Sequence, residues 1–367
     1  NVKDSLKEVY KHMEAEDLEY VKDKALDFHK TQVLKDAVIQ SAKILEVDGN
    51  TDEIKTLIDS AMQAGVERNL GHDYLVDIDA RYEESARVTS PTPWDIMNEL
   101  MQGGLGGGEL GVVVAPAGIG KSWVLSAMGA YALSQGLNVV HYTLELNEAY
   151  VGLRYDSIFS GVESQNLKYH KEEVMEKLFN LKGNLTIKYY PTKSCTVNTL
   201  SAHLKKVVTF GKKVDMVLVD YADIMRDVHK SSEMRHALGN IYEDLRGLAG
   251  ELQVPIWTAS QANRSALDED VIEATKVAES YAKVMTADFV VSLSRKIEDK
   301  IGNTGRFHVI KNRFGPDGLT YPAKINTNIG KIEIFESNSV QGKNVQHKIN
   351  NRDNQTKQML SARYEDL

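Results

Sequence analysis

Eight consecutive residues, 115–122, have the types and the spacing of a phosphate-binding loop. They read Ala-Pro-Ala-Gly-Ile-Gly-Lys-Ser, follow an apolar run and begin a stretch with a helical pattern. Backbone N–H groups in such a loop converge on phosphate oxygens, Lys121 is placed to reach the β- and γ-phosphates, and the hydroxyl of Ser122 is a ligand for Mg²⁺. The alternative is a glycine turn with a surface lysine. The strand–loop–helix setting favours nucleotide binding, which we assign to Ala117, Gly118, Ile119, Gly120, Lys121, Ser122 and Trp123.

Polar side chains also close three other apolar runs. Asp220 ends the run 216–220, Glu145 follows the run 139–144, and Gln261 follows the run 255–260. Because open α/β sheets bind ligands at the carboxyl ends of their parallel strands, we expect these groups to converge on the phosphate loop. Asp220 is then predicted to anchor Mg²⁺, Glu145 to act as general base for a water molecule, and Gln261 to sense the γ-phosphate. The alternatives are a turn cap for Asp220 and a solvated strand end for Glu145.

The elements that must position these groups lie between residues 89 and 336. Short β-branched runs alternate there with helical stretches, which predicts an α/β domain with a mainly parallel sheet. The predicted strands are Gly111–Ala115, Val139–Leu144, Leu185–Tyr190, Met216–Asp220, Pro255–Ser260 and Phe289–Ser294. The predicted helices are Lys121–Ser134, Glu148–Ser160, Val197–Phe210 and Ser232–Gln253. Two later runs, Arg306–Lys311 and Leu319–Asn326, predict a β-hairpin added to the sheet, and a third alternating run, Lys331–Phe335, follows.

The two ends of the chain differ from this central domain. Residues 1–88 are charged and helical in pattern, with amphipathic helices predicted at Asp4–Ala25 and Gln32–Leu45 and a third ending at Gly65. This region has few aromatic residues, so we expect it to bury its apolar stripes against something else, such as another copy of the chain. Residues 337–367 are rich in Asn, Gln and Lys, and we expect them to be disordered; the alternative is a short terminal helix that docks on a partner.

Composition restricts the class of protein. The 367 residues carry 44 Lys and Arg against 52 Asp and Glu, a net charge of −8. This balance argues against a non-specific nucleic-acid coat but not against a local basic groove. The single cysteine, Cys195, excludes a disulfide framework and a Cys-based zinc cluster. No apolar run is long enough to cross a bilayer and no signal peptide is visible, so we expect a cytoplasmic globular protein without a membrane partner.

Further motifs stand in a fixed order along residues 88–336. They are Thr92-Pro93-Trp94-Asp95, Gly103-Gly104-Leu105, Thr143-Leu144-Glu145-Leu146, Asp220-Tyr221, Ser260-Gln261-Ala262-Asn263-Arg264-Ser265, Glu279-Ser280, Ala287-Asp288 and the run from Lys311 to Gly318. Together with the phosphate loop, which begins with Ala115 where the general pattern has glycine, they resemble the motor domain of DnaB-type replicative helicases. The last motif makes the resemblance specific, because RecA-like ATPases in general do not share that hairpin.

The resemblance implies a RecA-like P-loop NTPase core in a homohexameric ring that binds ATP and Mg²⁺ between subunits. Each site would take Lys121, Ser122, Glu145, Asp220 and Gln261 from one chain. Lys311 and Arg313 would come from the next chain and stabilise charge on the γ-phosphoryl group. The implied activity is ATP-driven 5′-to-3′ translocation on single-stranded DNA with unwinding of the duplex. The implied partners are single-stranded DNA, a primase and a helicase loader.

The resemblance also points to two loops as DNA contacts. The candidates are Arg226, Lys276, Glu279, Ser280 and Lys283. The family has an arginine at the position of Ala278 and a glycine at the position of Tyr281, so this sequence departs from the family pattern here. Lys276 and Lys283 are candidates to replace the missing charge, and Tyr281 offers a stacking face.

Two other functions stay open at this point. A RecA- or RadA-like recombinase shares the phosphate loop, Glu145 and Asp220, but is expected to lack the Lys-x-Arg hairpin and to form filaments. A non-motor ring ATPase with the same fold would bind ATP without stimulation by single-stranded DNA. Fold analogy does not separate these functions.

Overall fold

The computed structural model describes most of the chain. The described residues are 17–47, positions 54, 57, 58, 61, 74–76, 78, 79 and 82, and residues 87–351 apart from 230, 232, 268 and 277–281. The chain divides into two units, residues 1–85 and residues 86–367. Among the described residues, no helix is both long enough and apolar enough to cross a membrane.

The first unit contains one long described helix, α1 (Asp17–Val47). The sequence predicts two helices here with a break at residues 26–31, and that prediction is wrong. The segment 26–31 contains neither glycine nor proline, so nothing in it interrupts the helical backbone. Positions 54, 57, 58 and 61 are also helical, in the region of the third predicted helix, whereas residues 1–16 lie outside the described residues.

The second unit has a two-stranded ribbon and a nine-stranded central sheet. The ribbon pairs β1 (Thr89–Ser90) with β2 (Leu105–Gly106). The sheet strands are β3 (Leu110–Ala115), β4 (Val139–Thr143), β5 (Leu185–Tyr189), β6 (Met216–Asp220), β7 (Ile256–Gln261), β8 (Phe289–Ser294), β9 (Thr304–Asn312), β10 (Thr320–Asn326) and β11 (Lys331–Ile334).

The order of the strands in the central sheet is β11-β10-β9-β8-β3-β7-β6-β4-β5. Strands β3 to β8 run parallel, and β9, β10 and β11 continue the sheet in antiparallel fashion. The predicted α/β class and the added hairpin are confirmed.

Helices cover both faces of this sheet. Those predicted from the sequence are found within two residues of their predicted ends: α3 (Lys121–Ser134), α4 (Glu148–Ser160), α6 (Val197–Thr209) and α7 (Met234–Leu252). The ribbon was not predicted, and neither were the short helices α2 (Asp95–Leu100), α5 (Lys171–Phe179), α8 (Ala282–Thr286) and α9 (Ile297–Gly302). Each of these elements is too short to give a clear periodic pattern.

Strand β3 shows why the central strands read as continuous apolar runs. Val112 and Val114 belong to the core cluster that contains residues of α6 and α7. Val113 and Ala115 belong to a second cluster that contains residues of α3 and α4. Successive side chains of a strand point to opposite faces, so a strand covered on both faces is apolar at every position.

The segment after the sheet corrects the expectation of a disordered tail. Residues 340–351 form a helix, α10, whose Val345 and Ile349 are 2% and 1% exposed. The Ser337 hydroxyl donates a hydrogen bond to the carbonyl oxygen of Thr320 at 2.9 Å. These two apolar residues, four positions apart, lie on one face of the helix and give this polar segment a buried side. Residues 352–367 lie outside the described residues.

His141 in β4 predicts a pH dependence of stability. Burial lowers the pKa of His141 to about 3, and the positive charge of Arg154 adds to this effect. Between pH 3 and 6.5 the unfolded chain thus binds a proton at His141 that the folded chain does not, so the free energy of unfolding falls as the pH falls. We expect the wild type to lose about 1.4 kcal/mol more per pH unit in this window than the variant His141→Asn. Urea unfolding from pH 4 to 7 measures this difference, and equal slopes would exclude His141 as the cause.

Candidate functional site

The predicted phosphate loop lies between β3 and α3 as the sequence requires. Two of its glycines have positive φ, +71° at Gly118 and +122° at Gly120, a backbone conformation that other residues rarely adopt. Helix α3 begins at Lys121, so its N-terminal N–H groups and its dipole face the loop. The side chain of Ile119 is buried in the core, so this residue can offer a phosphate only its backbone N–H. The prediction that Ile119 binds nucleotide is therefore restricted to its main chain.

A cleft of about 310 Å³ opens over this loop. Its lining combines residues of the loop and of α3 with residues that follow the strand ends and one residue of α4. The lining residues are Ala117, Gly118, Gly120, Lys121, Ser122, Trp123, Glu145, Leu146, Arg154, Tyr221, Gln261 and Thr327. The polar groups that the sequence places at the ends of β4 and β7 thus meet the phosphate loop in one cavity.

Strand register explains why these groups meet. Thr143 pairs with Asp220 across β4 and β6, and Ala115 pairs with Gln261 across β3 and β7. Parallel strands that end in register deliver their next residues to the same edge of the sheet. Glu145 is exposed to the cleft, and Gln261 accepts a hydrogen bond from the Tyr221 hydroxyl at 3.5 Å.

Lys121 is buried at the floor of the cleft. Its Nζ atom lies 3.5 Å from the carbonyl oxygen of Pro116 and 5.4 Å from the ring centroid of Tyr221. Burial lowers the pKa of Lys121, and the nearby carboxylates of Asp220 and Glu145 oppose this shift. Within the described part of the chain no carboxylate forms an ion pair with it. A desolvated ammonium without an ion-pair partner is suited to bind phosphate.

The environment of Asp220 fits a magnesium ion. Its side chain is buried, and its Oδ1 atom has no hydrogen-bond partner. Burial raises the pKa of Asp220, whereas a hydrogen bond with Ser122 and the charge of Arg154 lower it. Mg²⁺ prefers oxygen ligands, and a carboxylate beside a hydroxyl supplies them. Asp220 and Ser122 therefore form a donor pair that suits this ion.

Arg154 was not found from the sequence, although it lines the cleft. Its Nη1 atom is 4.0 Å from Oδ2 of Asp220 and has no hydrogen-bond partner. Burial lowers its pKa, and Asp220 and Glu145 oppose the shift. The signal that could have revealed it is its place on α4, where it stands with the buried Val151 and Tyr155 on the face that packs on the sheet. A cation on such a face points to a function rather than to solvation.

Lys311 and Arg313 lie at the opposite edge of the same sheet. Arg313 forms an ion pair with Asp288 at 2.7 Å, and Asp288 also accepts a hydrogen bond from the backbone N–H of Leu110 at 3.0 Å. Leu110 is the first of the six residues of β3, and the phosphate loop follows the last. At about 3.3 Å per residue, the first and last residues of this strand are about 17 Å apart. Arg313 is therefore not brought to the cleft of its own chain.

Asp288 is 1% exposed, and it binds a second arginine in addition to Arg313. Arg246 donates two hydrogen bonds to it, at 3.0 and 3.1 Å. Lys311 donates to the carbonyl oxygen of Met285, and burial together with the charge of Arg313 lowers its pKa. Arg313 is half-exposed, so its guanidinium borders the solvent at this edge.

The candidate DNA contacts differ in exposure and in their ion pairs. Arg226 is exposed, and Lys276 pairs with Glu269 at 2.9 Å. Lys283 is 1% exposed and forms an ion pair with Asp223 at 2.9 Å, so its side chain is enclosed by protein and we remove it from the candidate DNA contacts. Glu279 and Ser280 lie outside the described residues.

Comparison with known proteins agrees with this geometry. The chain is 26% identical over 309 residues to the DnaB-like replicative helicase of Enterobacteria phage T4, a match that covers 75% of this chain and 64% of the phage protein. It is 26% identical over 251 residues to the replicative DNA helicase DnaB of Geobacillus stearothermophilus, covering 62% of this chain and 55% of that protein. The matches therefore span less than two thirds of these relatives.

Two solved structures have folds similar to this chain. One solved ATPase domain superposes with a TM-score of 0.61 at 17% identity, over 71% of this chain and 97% of that one. A DnaB-like replicative helicase, solved in a study of its interactions with primase, superposes with a TM-score of 0.65 at 15% identity, over 84% and 77% of the two chains. These structures establish the fold that the sequence predicts.

A sequence model of one family decides the membership. This family, described as the DnaB-like helicase C terminal domain, matches residues 91–329. The matched segment contains the phosphate loop, the strand ends of the cleft and the cluster around Asp288. Since it covers more than half of the chain, the protein belongs to the family of the DnaB-like helicase C-terminal domain.

Proposed function

We propose that the protein is an ATP-driven DNA helicase of the DnaB type, which assembles as a homohexameric ring and moves 5′-to-3′ on single-stranded DNA. The observation that carries this proposal is the position of Lys311 and Arg313, at the sheet edge opposite to their own phosphate loop. A cation at that edge serves a nucleotide bound by another copy of the chain. A ring of identical chains gives every site such a neighbour.

Each group in the cleft then has a role in hydrolysis. The loop N–H groups and Lys121 bind the phosphates, and Glu145 accepts a proton from the attacking water. Ser122 and Asp220 would hold Mg²⁺, which when bound would supply positive charge to the phosphates. Gln261 senses the γ-phosphate, and Arg154 orients the carboxylates beside it. The neighbour's Lys311 and Arg313 stabilise the charge that develops on the transferred group.

The DNA and protein partners of this function are single-stranded DNA, a primase and a helicase loader, in the cytoplasm of the cell. Exposed Arg226 and the loop that contains Lys276 are the proposed DNA contacts. Enclosure by the ring explains how an acidic protein retains its strand, because a channel is lined by few of the surface residues.

ATP hydrolysis with and without single-stranded DNA, measured beside unwinding of a forked duplex with a 5′ tail, tests the proposal. DNA-stimulated hydrolysis with strand separation supports a motor. Helical filaments without unwinding would favour a recombinase, and ATP binding without stimulation by DNA would favour a non-motor ring. Either result would contradict the helicase function.

Arg154 gives a prediction for the cleft. In the variant Arg154→Met the positive charge beside Asp220 and Glu145 is lost, and we expect ATP hydrolysis to fall by about 10²-fold. ATP binding should change little, because the phosphate loop is intact. Hydrolysis and ATP affinity are measured together with the melting temperature, and Arg154→Lys, which keeps the charge, should retain more activity. Normal hydrolysis by Arg154→Met would leave Arg154 with a packing role.

A further inference from the structure

Arg87 lies at the start of the second unit's described residues, and its guanidinium makes four hydrogen bonds. Its Nε atom donates to Oε1 of Glu109 at 2.6 Å, and its Nη2 atom donates to Oε2 of the same carboxylate. Nη1 donates to the carbonyl oxygen of Met101, and Nη2 also donates to the carbonyl oxygen of Gly104. A bidentate ion pair together with two further hydrogen bonds holds the guanidinium in a single orientation.

This fixed guanidinium lies over the ring of Phe314. The distance from Cζ of Arg87 to the ring centroid is 3.8 Å, within the range of a cation–π contact. Phe314 directly follows Arg313, and its carbonyl oxygen accepts a hydrogen bond from Gln102 at 2.7 Å. Asn312, on the other side of Arg313, donates to the carbonyl oxygen of Leu100 at 2.8 Å. The backbone that carries Arg313 is therefore held on both sides by the segment 87–102.

These contacts matter because a charge that stabilises a transition state must be placed accurately. An error of about 1 Å in position can cost about 10²-fold in rate. The Arg313 side chain is anchored at Asp288, and its half-exposed guanidinium has no second ion pair among the described residues. The Phe314 contact adds to the hydrogen bonds of Gln102 and Asn312 that orient the hairpin tip.

We propose that Arg87 and Phe314 are positioning residues for the arginine finger, Arg313. The inference rests on the proposed action of Arg313 in trans.

The variant Phe314→Leu tests this directly in the full chain. It removes the ring and leaves the polar contacts of Arg87 in place. We expect kcat for DNA-stimulated ATP hydrolysis to fall about tenfold with an unchanged KM for ATP, since the finger acts on the transition state. Phe314→Tyr, which keeps the ring, should restore kcat. The matched control is Phe210→Leu, because Lys206 lies 5.8 Å from the Phe210 ring on the surface, and it should be without effect.

A double-mutant cycle separates positioning from a general loss of structure. Added to Arg313→Ala, Phe314→Leu should cause no further loss, because the residue through which it acts is already absent. Arg87→Lys, which loses the bidentate pair, should behave in the same way. If Phe314→Leu lowers kcat as much in the Arg313→Ala protein as in the wild type, the inference is overturned. Wild-type kcat in both Phe314→Leu and Arg87→Lys would also overturn it. Normal turnover by Arg313→Ala itself would overturn the trans-acting finger and the inference together.

Discussion

Replacement of Arg313 by alanine will reduce DNA-stimulated ATP hydrolysis by about 10³-fold while ATP binding and ring assembly remain. An arginine finger contributes at least this factor to phosphoryl transfer. The structure supports a specific effect, because the Arg313 side chain is half-exposed and Asp288 keeps its two hydrogen bonds from Arg246. Steady-state hydrolysis, nucleotide binding and size-exclusion chromatography measure the three properties.

Mixing of inactive chains tests whether Arg313 acts between subunits. A chain with Lys121→Ala lacks a working phosphate loop but keeps its finger, and a chain with Arg313→Ala has the reverse defect. In mixed rings some interfaces combine an intact loop with an intact finger, so hydrolysis should return in part. Absence of recovery in verified mixed rings would contradict the trans arrangement, and normal turnover by Arg313→Ala would contradict the finger itself.

Replacement of Glu145 by glutamine has the second largest expected effect. The amide has nearly the same shape but cannot accept a proton, so ATP should bind and remain unhydrolysed, with a rate lower by about 10²- to 10⁴-fold. Single-turnover hydrolysis measured beside ATP binding separates the chemical step from affinity.

The control for this variant is Glu148→Gln. Glu148 is a nearby acid on α4 that accepts a hydrogen bond from the backbone N–H of Tyr189 at 3.0 Å and pairs with Lys188 at 3.7 Å. It does not line the cleft, and its loss should leave hydrolysis unchanged. Rapid hydrolysis by Glu145→Gln would remove Glu145 from the mechanism.

The sequence predicted the sheet and the cleft because both follow from local patterns. Strands such as β3 and β6 are buried on both faces, so their apolar runs are unbroken; β6 ends in a polar residue, Asp220, and β3 leads directly into the phosphate loop. Since parallel strands share one carboxyl edge, Glu145, Asp220 and Gln261 had to converge near the loop. The hairpin was also predictable from a local pattern, because alternating apolar and polar runs lie on either side of a glycine-containing turn.

Contacts between distant parts of the chain could not be predicted from the sequence. Nothing near Lys283 shows that its partner is Asp223, sixty positions earlier, so a buried lysine was interpreted as a DNA contact. Arg154 belongs to the cleft because α4 packs its Val151 face on the sheet, a tertiary fact. The helix 340–351 depends on burial of Val345 and Ile349, which the polar composition of the tail conceals.

Strand β3 connects two nucleotide sites in the proposed ring. Its last residue leads into the phosphate loop, and its first residue, Leu110, donates its backbone N–H to Asp288, the carboxylate that holds Arg313. A central strand hydrogen-bonded on both sides is among the most rigid elements of a protein. In the proposed ring, a displacement of the loop would thus act through this strand on the carboxylate that holds Arg313. One strand therefore links the loop of a chain's own nucleotide site to the residue that holds the finger for its neighbour's site.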